Sequence, residues 1–259
     1  MEKIAIIDLG SNSARLVLVN ILEGGYFVVF DELKESVRLA QDMDWDGFLK
    51  PQRIAQTIKT LKMFRRLCDA NNIEKIYAYA TAAVRRAKNQ KSFLDEVAVS
   101  CGIKINVLTK DEQASLVYQG VINSLDVPKG LIMDIGGGST QFIYYNRKNL
   151  IACETLQFGA VTLTDLFKND DCSPSERAEK IQALIKEHLD KIEWFKNIDP
   201  DTQFVGVGGS FRNLGRISRN IKKYPLDMMH NYHVPINEFN QIYDTIKQLD
   251  LDRTQKIKG

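Results

Sequence analysis

The chain has 259 residues, 44% of them hydrophobic and 26% charged, which is an ordinary globular composition. That length allows one large domain or two of ordinary size, and it buries a sizeable core without disulfides or metals. A net charge of +2 excludes a global polycationic field, so any anionic ligand must be held by local chemistry.

The N-terminus, MEKIAIIDLG, carries an acid at position 2 and reaches Asp8 after a short apolar run. It fits neither a signal peptide nor a membrane span, so a cytoplasmic location is expected. Cys68, Cys101, Cys153 and Cys172 form no C-x-x-C pair and read as reduced packing residues. Strands are expected over Lys3–Leu9, Leu16–Ile21 and Tyr26–Phe30, with turns at Gly10-Ser11-Asn12-Ser13 and Glu23-Gly24-Gly25. Pro51 opens a helix whose apolar residues, Ile54, Ile58, Leu61, Phe64 and Leu67, recur at a helical period. KIYAYAT (75–81) and Ile103–Leu108 read as strands, and Glu112–Leu125 as a helix.

The pattern then restarts. GLIMDIGGGSTQFIYYN (130–146) is strand, glycine turn, strand, and LIACETLQF (150–158) adds a third strand. Pro174–Lys196 reads as one long amphipathic helix, and TQFVGVGGSFRNL (202–214) as strand, glycine turn, helix. Asp8-Leu-Gly-Ser and Asp134-Ile-Gly-Gly are matching points of two similar halves. The boundary is expected near Ser124–Lys129, giving domains 1–125 and 126–259.

A glycine turn after a strand presents backbone N–H groups without side-chain obstruction, and such concavities bind phosphate oxygens. One such turn is better read as a plain hairpin. Three of them (10–13, 136–140 and 206–210), with the strand-terminal acids Asp8 and Asp134, point to a phosphate–Mg²⁺ site in a cleft between two similar domains.

DLGSNSARLVL, ATAAVRRA (80–87), DIGGGSTQF, LQFGAVTLTDLF (156–167), GVGGSFRNL (206–214) and YPLDMMHNY (224–232) occur in one order. Together they resemble the exopolyphosphatase / guanosine pentaphosphate phosphohydrolase family over nearly the whole chain. The resemblance implies an α/β, actin-like fold of two ribonuclease-H-like domains flanking a cleft. It implies Mg²⁺-dependent hydrolysis of a terminal phosphate from polyphosphate or from pppGpp. By motif match, Asp8 and Asp134 would hold the metal. Gly10, Ser11, Asn12 and Ser13 would form the first phosphate loop, and Gly136, Gly137, Gly138, Ser139 and Thr140 the second. Gly208, Gly209 and Ser210 would form the third, with Arg85 on the phosphate chain.

Two positions depart from the family pattern. The family carries Glu-Glu-Ala where this chain has Glu112-Gln113-Ala114, and Ser-Thr-Glu where this chain has Ser139-Thr140-Gln141. The catalytic set implied is therefore Gln113, Gln141 and Asp134, with Glu112 as a stand-in. Glutamine keeps the shape of glutamate but neither accepts a proton at neutral pH nor adds negative charge to a metal site. Losing one general base costs roughly 10²–10⁴ in rate. Glu112 also completes a capping box with Thr109, a competing structural use.

Arg212, Arg216, Arg219 and Lys223 fall on one helix face, where they either guide a polyanion or form a solvated surface; Arg212, nearest Gly208-Gly209-Ser210, has the better claim to bind phosphate. His230 and His233 lack a third metal ligand. Tyr144, Tyr145, Phe158 and Phe167 read as core, not as base-stacking platforms, so neither nucleic acid nor a membrane is an expected partner. The last residues, LDLDRTQKIKG, resemble the helix end before the family's closing stretch, so the second domain is expected to be shortened. The readings are a slow hydrolase, a sensor of polyphosphate or of guanosine penta/tetraphosphate, and, by fold analogy alone, a kinase. A homodimer is allowed for.

Overall fold

The computed structural model describes residues 2–43, 46–167, 173–225 and 228–247. They fall into two compact units. The first comprises residues up to Gln113 together with 137–139 and 157–166; the second holds the remainder.

In the first unit, β1 (Glu2–Leu9), β2 (Ser13–Ile21) and β3 (Phe27–Ser36) form an antiparallel meander. β4 (Lys75–Ala80) and β5 (Ile105–Val107) join it in parallel, giving the order β3-β2-β1-β4-β5. Three antiparallel strands followed by parallel crossovers through helices is the ribonuclease-H-like topology. Strand periodicity decides what is buried: Ala5, Ile7 and Leu9 of β1 and Ala14, Leu16 and Leu18 of β2 point inward. Helix α1 (Pro51–Ala70) presents Ile58, Leu61, Phe64 and Cys68 to the same core. Each fully buried Leu or Phe contributes roughly 1.5–3 kcal/mol. Helix α2 (Ala82–Arg86) is a single short turn after β4, and α3 (Gln90–Cys101) adds Phe93 and Val97 to the core.

The second unit repeats the plan. β6 (Lys129–Ile135), β7 (Thr140–Asn146) and β8 (Asn149–Leu156) are antiparallel, and β9 (Gln203–Val207) pairs in parallel with β6, in the order β8-β7-β6-β9. The β7–β8 turn is two residues, Arg147 and Lys148, both at positive φ, the geometry that suits the strand twist. Helix α4 (Lys110–Ile122) lends Ala114, Tyr118 and Val121 to a core with Ile132, Ile143 and Tyr145. Helices α5 (Ala160–Phe167), α6 (Pro174–Leu189), α7 (Gly209–Lys222) and α8 (Ile236–Lys247) complete the described elements. Among the described residues, no helix is long and apolar enough to cross a membrane.

Several expected elements are corrected. The helix expected over Pro174–Lys196 ends at Leu189, and Glu193–Asn197 forms a 3₁₀ turn. That turn sets Trp194 against Tyr144 and Phe195 against Phe142, with ring centroids 6.2 and 5.1 Å apart. Aromatic burial outweighs continuing the helix. The strand expected to end at Phe30 runs to Ser36 because β2 offers partners along its whole length. Ile103–Leu108 shortens to Ile105–Val107, where only three residues pair with β4. Cys68 and Cys101 are buried as expected, whereas Cys153 is exposed on β8, and Cys172 lies outside the described residues.

Candidate active site

The first glycine turn, Gly10–Ser13, joins β1 to β2, and its carbonyls are tied down from behind. The Ser13 carbonyl accepts from Gly10 N–H at 3.0 Å. The Asn12 carbonyl accepts from Val37 and Arg38 at 3.0 and 2.8 Å, and the Ser11 carbonyl from Ala40 at 3.0 Å. Among the described residues the N–H groups of Ser11 and Asn12 donate no hydrogen bond. With the carbonyls engaged, the loop keeps a surplus of donors, which is the polarity an anion requires.

The tip of the second glycine loop belongs to the same unit and packs on the first. A Cβ at Gly138 would lie 2.5 Å from Ser11 Oγ, and one at Gly137 would lie 3.1 Å from Ser11 Cβ and 3.2 Å from Asn12 N. Only glycine permits this approach. The Gly137 carbonyl accepts from Val161 and Thr162 N–H at 2.9 and 3.1 Å, while the Gly137 and Gly138 N–H groups donate no bond among the described residues. Ser11, Ser139 and Thr140 are buried. The sequence brings 10–13 and 137–138 together through no short-range signal; the strands that carry them do it.

Arg85 lies in α2, directly after the small-residue turn at the end of β4. Its Nη1 donates to the Leu108 carbonyl at 2.7 Å and to Gln113 Oε1 at 3.2 Å, and its Nη2 is buried with no partner. Burial, and after it the charge of Arg86, draws the guanidinium below its ordinary pKa. A cation held this way lacks a counter-charge and fits an anion that supplies one. Arg86 Nη1 donates to the Gln157 carbonyl at 3.1 Å. Glu112 sits in the capping box: its Oε2 accepts from Thr109 N–H at 2.8 Å and from Thr109 Oγ1 at 2.9 Å. The Thr109 N–H, and after it the hydroxyl, holds the Glu112 carboxyl below the usual range. It is Gln113, not Glu112, that meets Arg85.

In the second unit Asp134 closes β6, and strand register sets Gln141 of β7 directly opposite it and Thr155 of β8 beside Gln141. Gln141 is 1% exposed and its Nε2 donates to Thr155 Oγ1 at 3.3 Å. Thr155 was not legible as a site neighbour, because only the register of β8 brings it there. Gly208, at φ +95°, caps α7; a Cβ on it would lie 2.7 Å from the Ile135 carbonyl and 2.8 Å from Asp134 Oδ1. Gly209 and Ser210 form the first turn of α7, whose leading N–H groups and dipole favour an anion. Arg212 and Arg216 are exposed, Arg219 is half-buried, and Lys223 ends the helix. Lys222, outside the expected stripe, pairs with Glu238 at 2.5 Å.

Asp8 lies at the end of β1 opposite Arg15 and Tyr79 on an exposed face. Among the described residues no three His, Cys, Asp or Glu side chains cluster as a ready-made metal cage, His230 and His233 included. The donors in this register, the Asp134 carboxylate, the Gln141 amide across from it and the Thr155 hydroxyl one strand further, are oxygen-rich. They suit Mg²⁺, which binds through one or two carboxylates and completes its shell with waters and phosphate oxygens.

A sequence profile of the Ppx/GppA phosphatase family matches residues 17–259. The bifunctional 3-dehydroquinate synthase/phosphatase of Fusobacterium nucleatum is 30% identical over 268 residues, which cover 98% of this chain and 40% of that protein. The chain thus spans less than half the length of that relative. Exopolyphosphatase 2 of Mycobacterium tuberculosis is 25% identical over 245 residues, covering 91% of this chain and 76% of its own. Among solved structures, the Aquifex aeolicus Ppx/GppA family member superposes with a TM-score of 0.77 at 28% identity, covering 99% of this chain and 82% of that one. Its likeness and the two ribonuclease-H-like sheets make this the actin-like α/β fold. The profile takes in both units and the second and third glycine loops, and the chain belongs to the Ppx/GppA phosphatase family.

Proposed function

We propose that the protein hydrolyses the terminal phosphoanhydride of inorganic polyphosphate or of pppGpp with Mg²⁺. The observation that carries this reading is the pair of glycine loops in one unit, their unpaired N–H groups next to one another, with Arg85 Nη2 buried and unpartnered. Similarity to proteins named exopolyphosphatases supports it. The N–H groups of Ser11, Asn12, Gly137 and Gly138 bind the oxygens of the transferred phosphate, and Arg85 neutralises charge that builds on them. Phosphoryl transfer is loose, so positioning and electrostatics supply most of the acceleration. Asp134 would hold a divalent cation, which would supply positive charge to the phosphate oxygens.

The reaction is slow in this reading because no glutamate stands at 113 or 141. Arg85 donates to Gln113 Oε1, which turns the amide NH₂ away from the arginine. An NH₂ group donates to a phosphate oxygen but cannot take a proton from water. The same hydrogen bond favours a second reading, a sensor that binds the polyanion without turnover. Phosphate release from medium-length polyphosphate with Mg²⁺, measured beside the double variant Gln113→Glu/Gln141→Glu, separates the two. Turnover by the parent supports the hydrolase. Turnover by the double variant alone supports the sensor, and release by neither, with no binding in a direct titration, rejects both readings.

A further inference from the structure

Seven non-glycine residues have positive φ among the described residues: Arg38, Asp42, Asn72, Arg147, Lys148, Lys223 and Asn231. Six have a local reason. Arg147 and Lys148 make the β7–β8 hairpin, and Lys223 caps α7. Asp42, Asn72 and Asn231 have the short polar side chains that tolerate this region. Arg38, at φ +48°, has no such reason. Glycine or asparagine would adopt that conformation at lower cost.

The backbone holds Arg38 in place. Val37, Leu39 and Ala40 are fully buried. The Arg38 N–H donates to the Asn12 carbonyl at 2.8 Å, and its own carbonyl accepts from Gln41 N–H at 3.0 Å. The side chain does the opposite: it is exposed, and among the described residues it makes no hydrogen bond or ion pair. An arginine is therefore kept in a costly conformation, one hydrogen bond from the first glycine loop, with a side chain that makes no polar contact among the described residues. Strained residues of this kind mark ligand contacts.

We propose that Arg38 is a substrate-binding residue that holds a phosphate other than the one removed. The assignment rests on the polyphosphate reading above. Its long, mobile guanidinium suits a chain of phosphates that extends away from the glycine loops, binding through charge-assisted hydrogen bonds. Losing one such contact raises KM about 10- to 100-fold. Because the contact lies away from the reacting phosphate, it acts on ground state and transition state alike and leaves kcat within about threefold.

The test uses the full chain with medium-length polyphosphate and Mg²⁺, comparing the parent with Arg38→Gly, Arg38→Ala and Arg38→Lys. Arg38→Gly removes the charge and also relieves the backbone, so its melting temperature should equal or exceed the parent's while KM rises. Lysine should restore part of the affinity. Inorganic phosphate as a competitive inhibitor occupies only the reacting position, so its Ki should be unchanged in all three variants. A parent that turns over, with Arg38→Gly at the parental KM, overturns the Arg38 assignment and leaves the hydrolase standing. A fall in kcat at constant KM overturns it as well. A parent that neither binds nor cleaves polyphosphate, read by direct titration, overturns the function and this assignment together.

Discussion

Gln141→Glu puts a second carboxylate directly across a strand pair from Asp134, at a site that is 1% exposed. Directly opposed residues have Cβ atoms about 4.5–5.5 Å apart on one face. Two like charges at about 5 Å repel by about 3 kcal/mol at an effective dielectric constant near 20. Burial adds to the cost, and both effects raise the pKa of the new carboxyl in the folded state. Protonation caps the penalty. From the unfolded Glu value near 4.3 to pH 7 is about 2.7 units, so the ceiling is about 3.7 kcal/mol. We expect a loss of about 3 kcal/mol at pH 7 without divalent cations, or about 6–12 °C in Tm for a chain of this size. The sign follows from the raised pKa. The folded state binds the extra proton more tightly than the unfolded state, so stability is regained as pH falls and the deficit shrinks to about 1 kcal/mol or less at pH 5. Mg²⁺ should restore the variant more than the parent, because two adjacent carboxylates would hold a divalent cation more tightly than one. The assay is a thermal melt at pH 7 and pH 5, in chelator and in Mg²⁺. A variant that melts within 2 °C of the parent in chelator at pH 7, or whose deficit is the same at both pH values, refutes the placement of Gln141 against Asp134.

Gly208→Ala should destabilise the protein by roughly 2–4 kcal/mol in a denaturant titration. Its φ of +95° suits glycine alone, and the added Cβ would meet the Ile135 carbonyl and Asp134 Oδ1 at 2.7 and 2.8 Å; a parental midpoint would contradict this. Tyr145→Phe should be neutral or stabilising by up to about 1 kcal/mol. It removes a buried hydroxyl that has no hydrogen-bond partner and keeps the ring against Tyr118. A loss above 1 kcal/mol would mean that an ordered water serves that hydroxyl.

Period and turn chemistry carried the reading wherever a residue answers to its own neighbours. The meander β1–β2–β3 and its repeat β6–β7–β8 follow from apolar alternation interrupted by small-residue turns. The capping box of Glu112 with Thr109 is a local pattern, and the chain forms it. Distant packing decided the elements that local pattern does not encode. Trp194 and Phe195 stop the helix from Pro174 early because their rings have partners on β7, which no window around 190 contains. Arg38 read as nothing at all, because a left-handed φ at an arginine has no signature in the sequence. The approach of Gly137 and Gly138 to Ser11 and Asn12, across more than a hundred residues, needed the sheets in place first.

The two amides that replace glutamates are not relaxed relics. Gln113 is held by Arg85 and Gln141 by Thr155, each at ordinary hydrogen-bond distance. A glutamate at 113 would pair with Arg85 and cancel its charge; the glutamine leaves that charge to an incoming anion. At 141 the amide spares Asp134 a like-charged neighbour. On the proposed function, both changes would favour holding a polyanion, and both would remove a proton acceptor from the chemistry. On that reading, affinity and turnover would thus depend on opposite properties of these two positions. Restoring the glutamates should therefore accelerate phosphate release while weakening binding in the absence of Mg²⁺. A double variant that gains rate and affinity together, without the metal, would show that the amides serve neither end.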